Sequence, residues 1–389
     1  MGQNYPPLSE VRKTLRPMWY RCPIARNRLR ELNQRSDASA WFQAGGHLAL
    51  YLATGAMTYY FWIQDIWPGF IVALWCHGTV ASFFSGVAPH ELGHGTVFRT
   101  SWLNKAFLYL FSLISWWDPF DYATSHTYHH RYTTYPAADR ENLLPLEPSL
   151  KPGLLLQLFT VNLFSKPGRN FGKGGLLWTI RLTIESALGK KSGHTEIPSQ
   201  EWLQAVHTDQ PKQFRHSIWW SRLLLAFHGS VLVISIATGQ WVVPLLLTFA
   251  SFIASWGTYF TGLPQHCGLR ENVPDFRKNT RSMTLNPLLE FLYWHMNWHA
   301  EHHMYAAVPC YKLKKLAHEI ADDMPAPRTL IGAWREMREI WRHQQVDPSY
   351  QFDTPLPTNA GLTPAKVVDE LASSIGELAP KGMKPERIK

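Results

Sequence analysis

Three stretches of this chain, residues 38–64, 66–90 and 223–269, carry no Asp, Glu, Lys or Arg. Each exceeds the roughly 20 apolar residues needed to cross a hydrocarbon layer about 30 Å thick. The third divides at Gly239-Gln240, ahead of Trp241 and Pro244, and so supplies two crossings. Asp65, followed by Trp67-Pro68-Gly69, is the natural turn between the first two. The pattern predicts two transmembrane hairpins, with spans at about 42–64, 67–89, 219–239 and 241–263.

Charge orients the hairpins. Arg12, Lys13, Arg16, Arg21, Arg26, Arg28, Arg30 and Arg35 precede the first span, and the short turn at Asp65 holds no basic residue. The positive-inside rule then puts the N-terminus, and the exit of each hairpin, in the cytosol. With no early apolar core, a cleaved signal peptide is not expected. The net charge of +9 suits an anionic membrane surface better than nucleic acid, because the basic residues flank the apolar runs and no nucleic-acid motif occurs. Cys22, Cys76, Cys267 and Cys310 stand far apart without a C-x-x-C, which argues against a disulfide framework, a zinc ribbon or an iron–sulfur cluster.

The chain therefore reads as a basic cytosolic segment (1–37), a membrane domain (38–343) and a Pro-rich polar tail (344–389). One short helix is expected in the tail, where Thr363-Pro364 supplies a cap and a first-turn proline. Residues 102–117 are apolar but short for a span, and predict a re-entrant or interfacial helix. The polar stretch 131–217 contains two apolar pieces, 154–164 and 176–184, expected to lie on the membrane or to cover a site.

The chemistry lies in the histidines. His126, His129 and His130 form an H-x-x-H-H cluster, as do His299, His302 and His303, and His90 and His94 add an i,i+4 pair. Positions i, i+3 and i+4 share a helix face, so each cluster should direct its imidazoles at one spot. Eight clustered imidazoles exceed the four ligands of a structural zinc and the three of a catalytic one. Two metal ions with open positions is the economical reading. Iron suits all-nitrogen ligation combined with oxygen activation, while zinc and copper stay open on ligand type alone.

His90-x-x-x-His94, His126-x-x-His129-His130 and His299-x-x-His302-His303, set around two hairpins, resemble the membrane fatty acid desaturase–hydroxylase superfamily. The resemblance covers about residues 38–318. It implies an all-α integral membrane fold: four transmembrane helices as two hairpins, plus a cytosolic helical cap carrying the histidine boxes. It further implies two iron ions as a diiron centre, O2 as co-substrate, and a lipid or acyl substrate within membrane lipids. Members commonly place one more ligand after the last span, where His266 stands here in Gln265-His266-Cys267-Gly268. Tyr293-Trp294-His295-Met296-Asn297-Trp298 and Val308-Pro309-Cys310-Tyr311 resemble a mainly bacterial branch that also includes enzymes of smaller polar molecules. A fused cytochrome b5 and a ferredoxin cysteine pattern are absent, so electrons are expected from a separate protein of ferredoxin or cytochrome b5 type. The bacterial inner membrane and the endoplasmic reticulum both fit such an enzyme.

The reading favoured by these signals is an oxygen-dependent desaturase of a lipid or acyl chain. A hydroxylase with the same ligands is the near alternative, and a zinc-dependent membrane hydrolase the remote one. His295, four residues before His299, reads as a ligand or as a hydrogen-bonding neighbour of the site. His47, His77 and His228, inside the spans, read as neutral helix-packing residues. Glu91, Asp118, Asp121, Asp139, Glu141, Asn297 and Glu301 are candidates to accept from ligand imidazoles. Arg131, Arg140 and Arg270 could meet an anionic head group, and Lys312, Lys314 and Lys315 lipid phosphates or an acidic redox partner.

Overall fold

The computed structural model describes residues 6–139, 141, 146–166, 174–190 and 199–361. The fold is mostly helical. Among the described residues, the paired strands are the two-residue segments Met283–Thr284 and Arg328–Thr329, joined in parallel.

Among the described residues, two helices are long and apolar enough to cross a membrane, Trp67–Gly93 and Pro211–Thr238. The first opens with Pro68 in its first turn, where a missing N–H is no loss. It loosens after Ser82 at a turn where Gly86 takes φ 79°, then resumes as Val87–Gly93. Alongside it runs Gly46–Ile63, continued backward through one π turn, Trp41–Gly45, to Asp37–Ala40. The Ser36 hydroxyl caps that run by accepting the Ser39 N–H. The third expected span begins earlier than its apolar run, at Pro211, and closes on Gly239 at φ 69°, a left-handed C-cap. Val233, Ile234 and Ile236 on this helix, like Ile71 and Val72 on the other, face outward, as lipid-facing residues do.

The fourth expected span, 241–263, is not one helix. It is Val243–Leu246, a 3-10 turn Ala250–Phe252, and Trp256–Gly262. Between them Ala254 takes φ 46°, and the backbone pairs with another segment. The Ala254 N–H donates to the Thr160 carbonyl and the Asn162 N–H to the Phe252 carbonyl, both at 2.8 Å. Apolarity asks that backbone groups be satisfied inside the protein, not that they be satisfied within one helix. Gly78 makes room for the crossing: a Cβ there would lie 2.4 Å from the Ile253 carbonyl oxygen.

The segment that carries the third histidine cluster is also interrupted. Pro287–Leu292 ends, Trp294 and His295 take φ 51° and 57°, and His299–Met304 begins afresh. Left-handed backbone at two bulky residues is costly, and strong anchors hold it. Trp294 Nε1 donates to His47 Nδ1 at 3.0 Å, and Trp298 Nε1 to Glu290 at 2.7 Å.

His47 in turn meets the Val80 carbonyl, His77 the Leu246 carbonyl and Thr54, and His228 the Leu113 carbonyl. These three histidines tie helices together, as expected. The apolar pieces form the helices Ser101–Ile114, Pro152–Phe159 and Leu176–Ala187. The described residues nearest each end pack onto the rest. Leu8 and Val11 are buried beside Tyr128, Tyr132 and Val206, and Phe352 pairs with Leu269. The tail thus follows the protein as far as Gly361, whose carbonyl accepts from Arg277. The helix expected beyond Thr363 and the head-group role considered for Arg140 lie outside the described residues.

Candidate metal centre

All nine histidines singled out from the sequence meet in one buried cluster, and they divide into groups. His90, His94, His126 and His130 offer ring nitrogens within 4.8 Å of one another, and so do His129, His266, His299 and His303. His302 adjoins the first group, its Nε2 3.3 Å from that of His130. The division runs through each H-x-x-H-H motif. On Pro119–Tyr132, His126 and His130 serve the first group and His129 the second. On His299–Met304, His299 and His303 serve the second while His302 turns to the first. At about 100° per residue, i+3 and i+4 diverge around the helix axis. One H-x-x-H-H therefore feeds two sites rather than the single spot its shared face suggests.

Hydrogen bonds fix which nitrogen faces inward. The Thr133 hydroxyl donates to the His129 carbonyl at 2.7 Å, so its contact with His303 Nδ1 at 3.1 Å has the imidazole as donor. His266 Nδ1 meets the Asn279 carbonyl at 2.9 Å, which can only accept. His129 Nδ1 donates to Asp139 at 2.9 Å and His126 Nδ1 to Glu141 at 3.2 Å. Glu91 lies 3.1 Å from His90 Nδ1 and 3.4 Å from His302 Nδ1, touching two boxes at once. With the proton on Nδ1, each Nε2 presents a lone pair.

Across the groups, Nε2 atoms face each other. Nε2–Nε2 separations are 3.1 Å for His129 and His303, 3.0 Å for His266 and His299, and 3.4 Å for His94 and His126. Two nitrogens each about 2.1 Å from a shared ion, with an angle at the ion between a right angle and the tetrahedral one, stand roughly 3.0–3.4 Å apart. His90 Nε2 is buried with no protein partner. Converging lone pairs without a proton between them repel one another, and a cation relieves that repulsion. The donor set fits a metal ion in each group.

Burial and neighbouring imidazoles hold His126, His130, His299, His302 and His303 well below the ordinary histidine range. Burial takes His94 down to about 4 and His266 to about 3. Neutral imidazole is the ligating form. His129 departs from this: burial pulls it down, but the Asp139 and Glu141 carboxylates outweigh burial and raise it. Asp139 also accepts the Thr134 and Glu141 N–H groups at 2.8 and 3.1 Å.

Other candidates go elsewhere. His295 sits in the left-handed turn, 3.6 Å from Glu290 and outside the imidazole groups. Asp118 caps the second-box helix, Asp121 pairs with His207, Asn297 donates to the Met283 carbonyl, and Glu301 accepts from Ser282. Arg131 lies over the Tyr132 ring, Arg270 pairs with Asp353, and Lys312 binds the carbonyls of Glu31 and Gln34. The sequence reading missed Thr133 and Asn279, which orient His303 and His266. Thr133 carries a weak signal in its place just after the second box; a backbone carbonyl carries none.

Fold and centre together define a helical protein with a buried, all-imidazole site that could hold metal. The family model described as fatty acid desaturase matches residues 65–334, and this chain belongs to that family. It is a membrane-bound enzyme family of oxidoreductase type acting on lipid or acyl substrates. The search of curated proteins returned no match.

Proposed function

We propose that this protein is an oxygen-dependent diiron oxidoreductase that desaturates a lipid or fatty acyl chain, drawing electrons from a separate redox protein. The observation that carries this reading is the close approach of Nε2 atoms in two adjacent groups, with His129 and His303 at 3.1 Å. His90, His94, His126, His130 and His302 would hold one iron, and His129, His266, His299 and His303 the other. Bound there, iron supplies the reduction of dioxygen and the removal of hydrogen from an unactivated C–H bond. The protein's own part is to keep the imidazoles neutral, orient them through Asp139, Glu141, Glu91, Thr133 and Asn279, and bury the centre away from water.

In this reading both hairpins cross the membrane, the fourth crossing being made by the broken segment 241–263 and its partner backbone near Thr160. The basic N-terminal segment and the histidine cap then share the cytosolic side. A hydroxylase would use the same ligands, since abstraction at a neighbouring carbon and hydroxyl rebound differ in substrate placement rather than in ligand set.

The test is expression in a host of known lipid composition, with untargeted profiling of lipids and metabolites against a His302→Ala control. Products lacking two hydrogens support desaturation, and products gaining one oxygen support hydroxylation. Purified protein that holds zinc and turns over without oxygen would refute both.

A further inference from the structure

Buried indoles in this protein find acceptors. Nε1 of Trp116 donates to the Thr248 carbonyl at 2.9 Å, Trp220 to the Trp117 carbonyl at 2.8 Å, and Trp334 to the Phe260 carbonyl at 2.8 Å. Trp294 and Trp298 donate to His47 and Glu290. Trp117 differs: its Nε1–H is sealed from solvent and has no partner among the described residues. A buried donor left unmade costs about 1–3 kcal/mol, and buried tryptophans ordinarily avoid that cost.

The position of this ring gives the orphan donor a use. Its backbone is pinned, the N–H donating to the Ser112 carbonyl at 2.9 Å while the carbonyl accepts from Trp220. The indole stands edge-on to Tyr122, centroids 5.2 Å apart, and Tyr122 stacks on His126 at 4.7 Å. Two ring contacts thus connect the unpaired N–H to a histidine of the first group. Beside the ring is Gly86, whose φ of 79° calls for glycine. A Cβ there would sit 3.5 Å from the outer edge of the indole, in ordinary contact.

We propose that the Trp117 indole N–H is a substrate-positioning donor, meeting a carbonyl or hydroxyl oxygen of the lipid as its chain passes the histidine centre. This rests on the oxidoreductase reading above and narrows its substrate to lipids that present such an oxygen beside the centre. A bare hydrocarbon leaves the donor unmatched. The neutral hydrogen bond adds binding strength and sets how far the chain slides in.

The test compares wild type with Trp117→Phe, which keeps a ring and removes the N–H, as iron-loaded protein with a reducing partner. The probes are methyl stearate and octadecane. The expected result is a loss of about three- to tenfold in kcat/KM on the ester, carried mainly by KM, no change on the alkane, and equal iron content. Equal losses on both probes, or no loss on the ester, overturn the proposal. If wild type converts neither probe, the indole's vibrational signature decides. In wild-type minus Trp117→Phe ultraviolet resonance Raman spectra, methyl stearate should shift the Nε1–H band to its hydrogen-bonded position and octadecane should not. An unshifted band with the ester bound overturns the proposal.

Discussion

His129 and His303, 174 positions apart in the chain, bring their Nε2 atoms to 3.1 Å with both Nδ1 atoms already engaged. Neither ring is free to turn away. His129 is held by Asp139, and His303 by a Thr133 hydroxyl whose own proton is committed to the His129 carbonyl.

Each histidine group should load separately. His303→Ala removes a nitrogen from the second group and leaves the first intact, so iron should fall to about one per chain from about two in the wild type. Elemental analysis of detergent-purified protein, with circular dichroism to confirm the fold, checks this. Unchanged iron would mean that the groups are not the sites.

Asp139→Asn keeps the shape but loses the charge that makes His129 a better ligand. Metal affinity should drop about 10–100-fold, measured by competition with a chelator of known affinity. Asp139 accepts three hydrogen bonds, so Asp139→Ala should lose thermal stability as well, through the orphaned Thr134 and Glu141 N–H groups.

Arg281 governs His266 from behind. Its fully buried guanidinium pairs with Glu336 at 2.7 Å and grips the carbonyls of Pro264 and Cys267, on either side of the histidine. Arg281→Met leaves Glu336 to its second pair, with Arg328, and the loop without its grip. A loss of about 1–3 kcal/mol is expected, read as a lowered Tm in detergent together with reduced metal retention.

The metal-stripped protein should be acid-labile. His94, His126, His130, His266, His299, His302 and His303 all have folded values below their ordinary one. Below about pH 6.5 the unfolded chain takes up protons that these folded histidines refuse, so stability falls as pH falls, by about 1.4 kcal/mol per pH unit per proton. His129 is raised and runs the other way: its contribution is full at low pH and is lost as pH rises through its folded value. One histidine opposing seven leaves acid destabilisation dominant. Circular dichroism of the apoprotein between pH 7 and pH 4, a range set by those values, checks it, and a flat profile would contradict it.

Much of this was legible in residue order. Charge-free runs give apolar helices because a hydrocarbon layer penalises ions whatever the tertiary arrangement, and Trp67–Gly93 and Pro211–Thr238 follow from that. The histidines announce a candidate metal site because ligand type and motif spacing are local properties. Where the chain breaks was not legible. Residues 241–263 carry the apolar signature of a span, yet the partner that satisfies Phe252 and Ala254 comes from around Thr160. The turn at Trp294 and His295 is held by His47, 247 positions away from Trp294.

The sequence by itself determined which imidazoles gather and that they gather beside apolar helices, because helical periodicity and hydropathy act over a few residues. Only the tertiary structure decided how they are shared. Inside each H-x-x-H-H the i and i+4 rings go to one group and the i+3 ring to the other, since those positions point about 100° apart and the second-box and third-box helices are packed so that each divergence meets the other. The orientation of His303 by Thr133, and of His266 by a backbone carbonyl, belongs to that same level. Such contacts are made between distant segments, and no spacing rule along the chain encodes them.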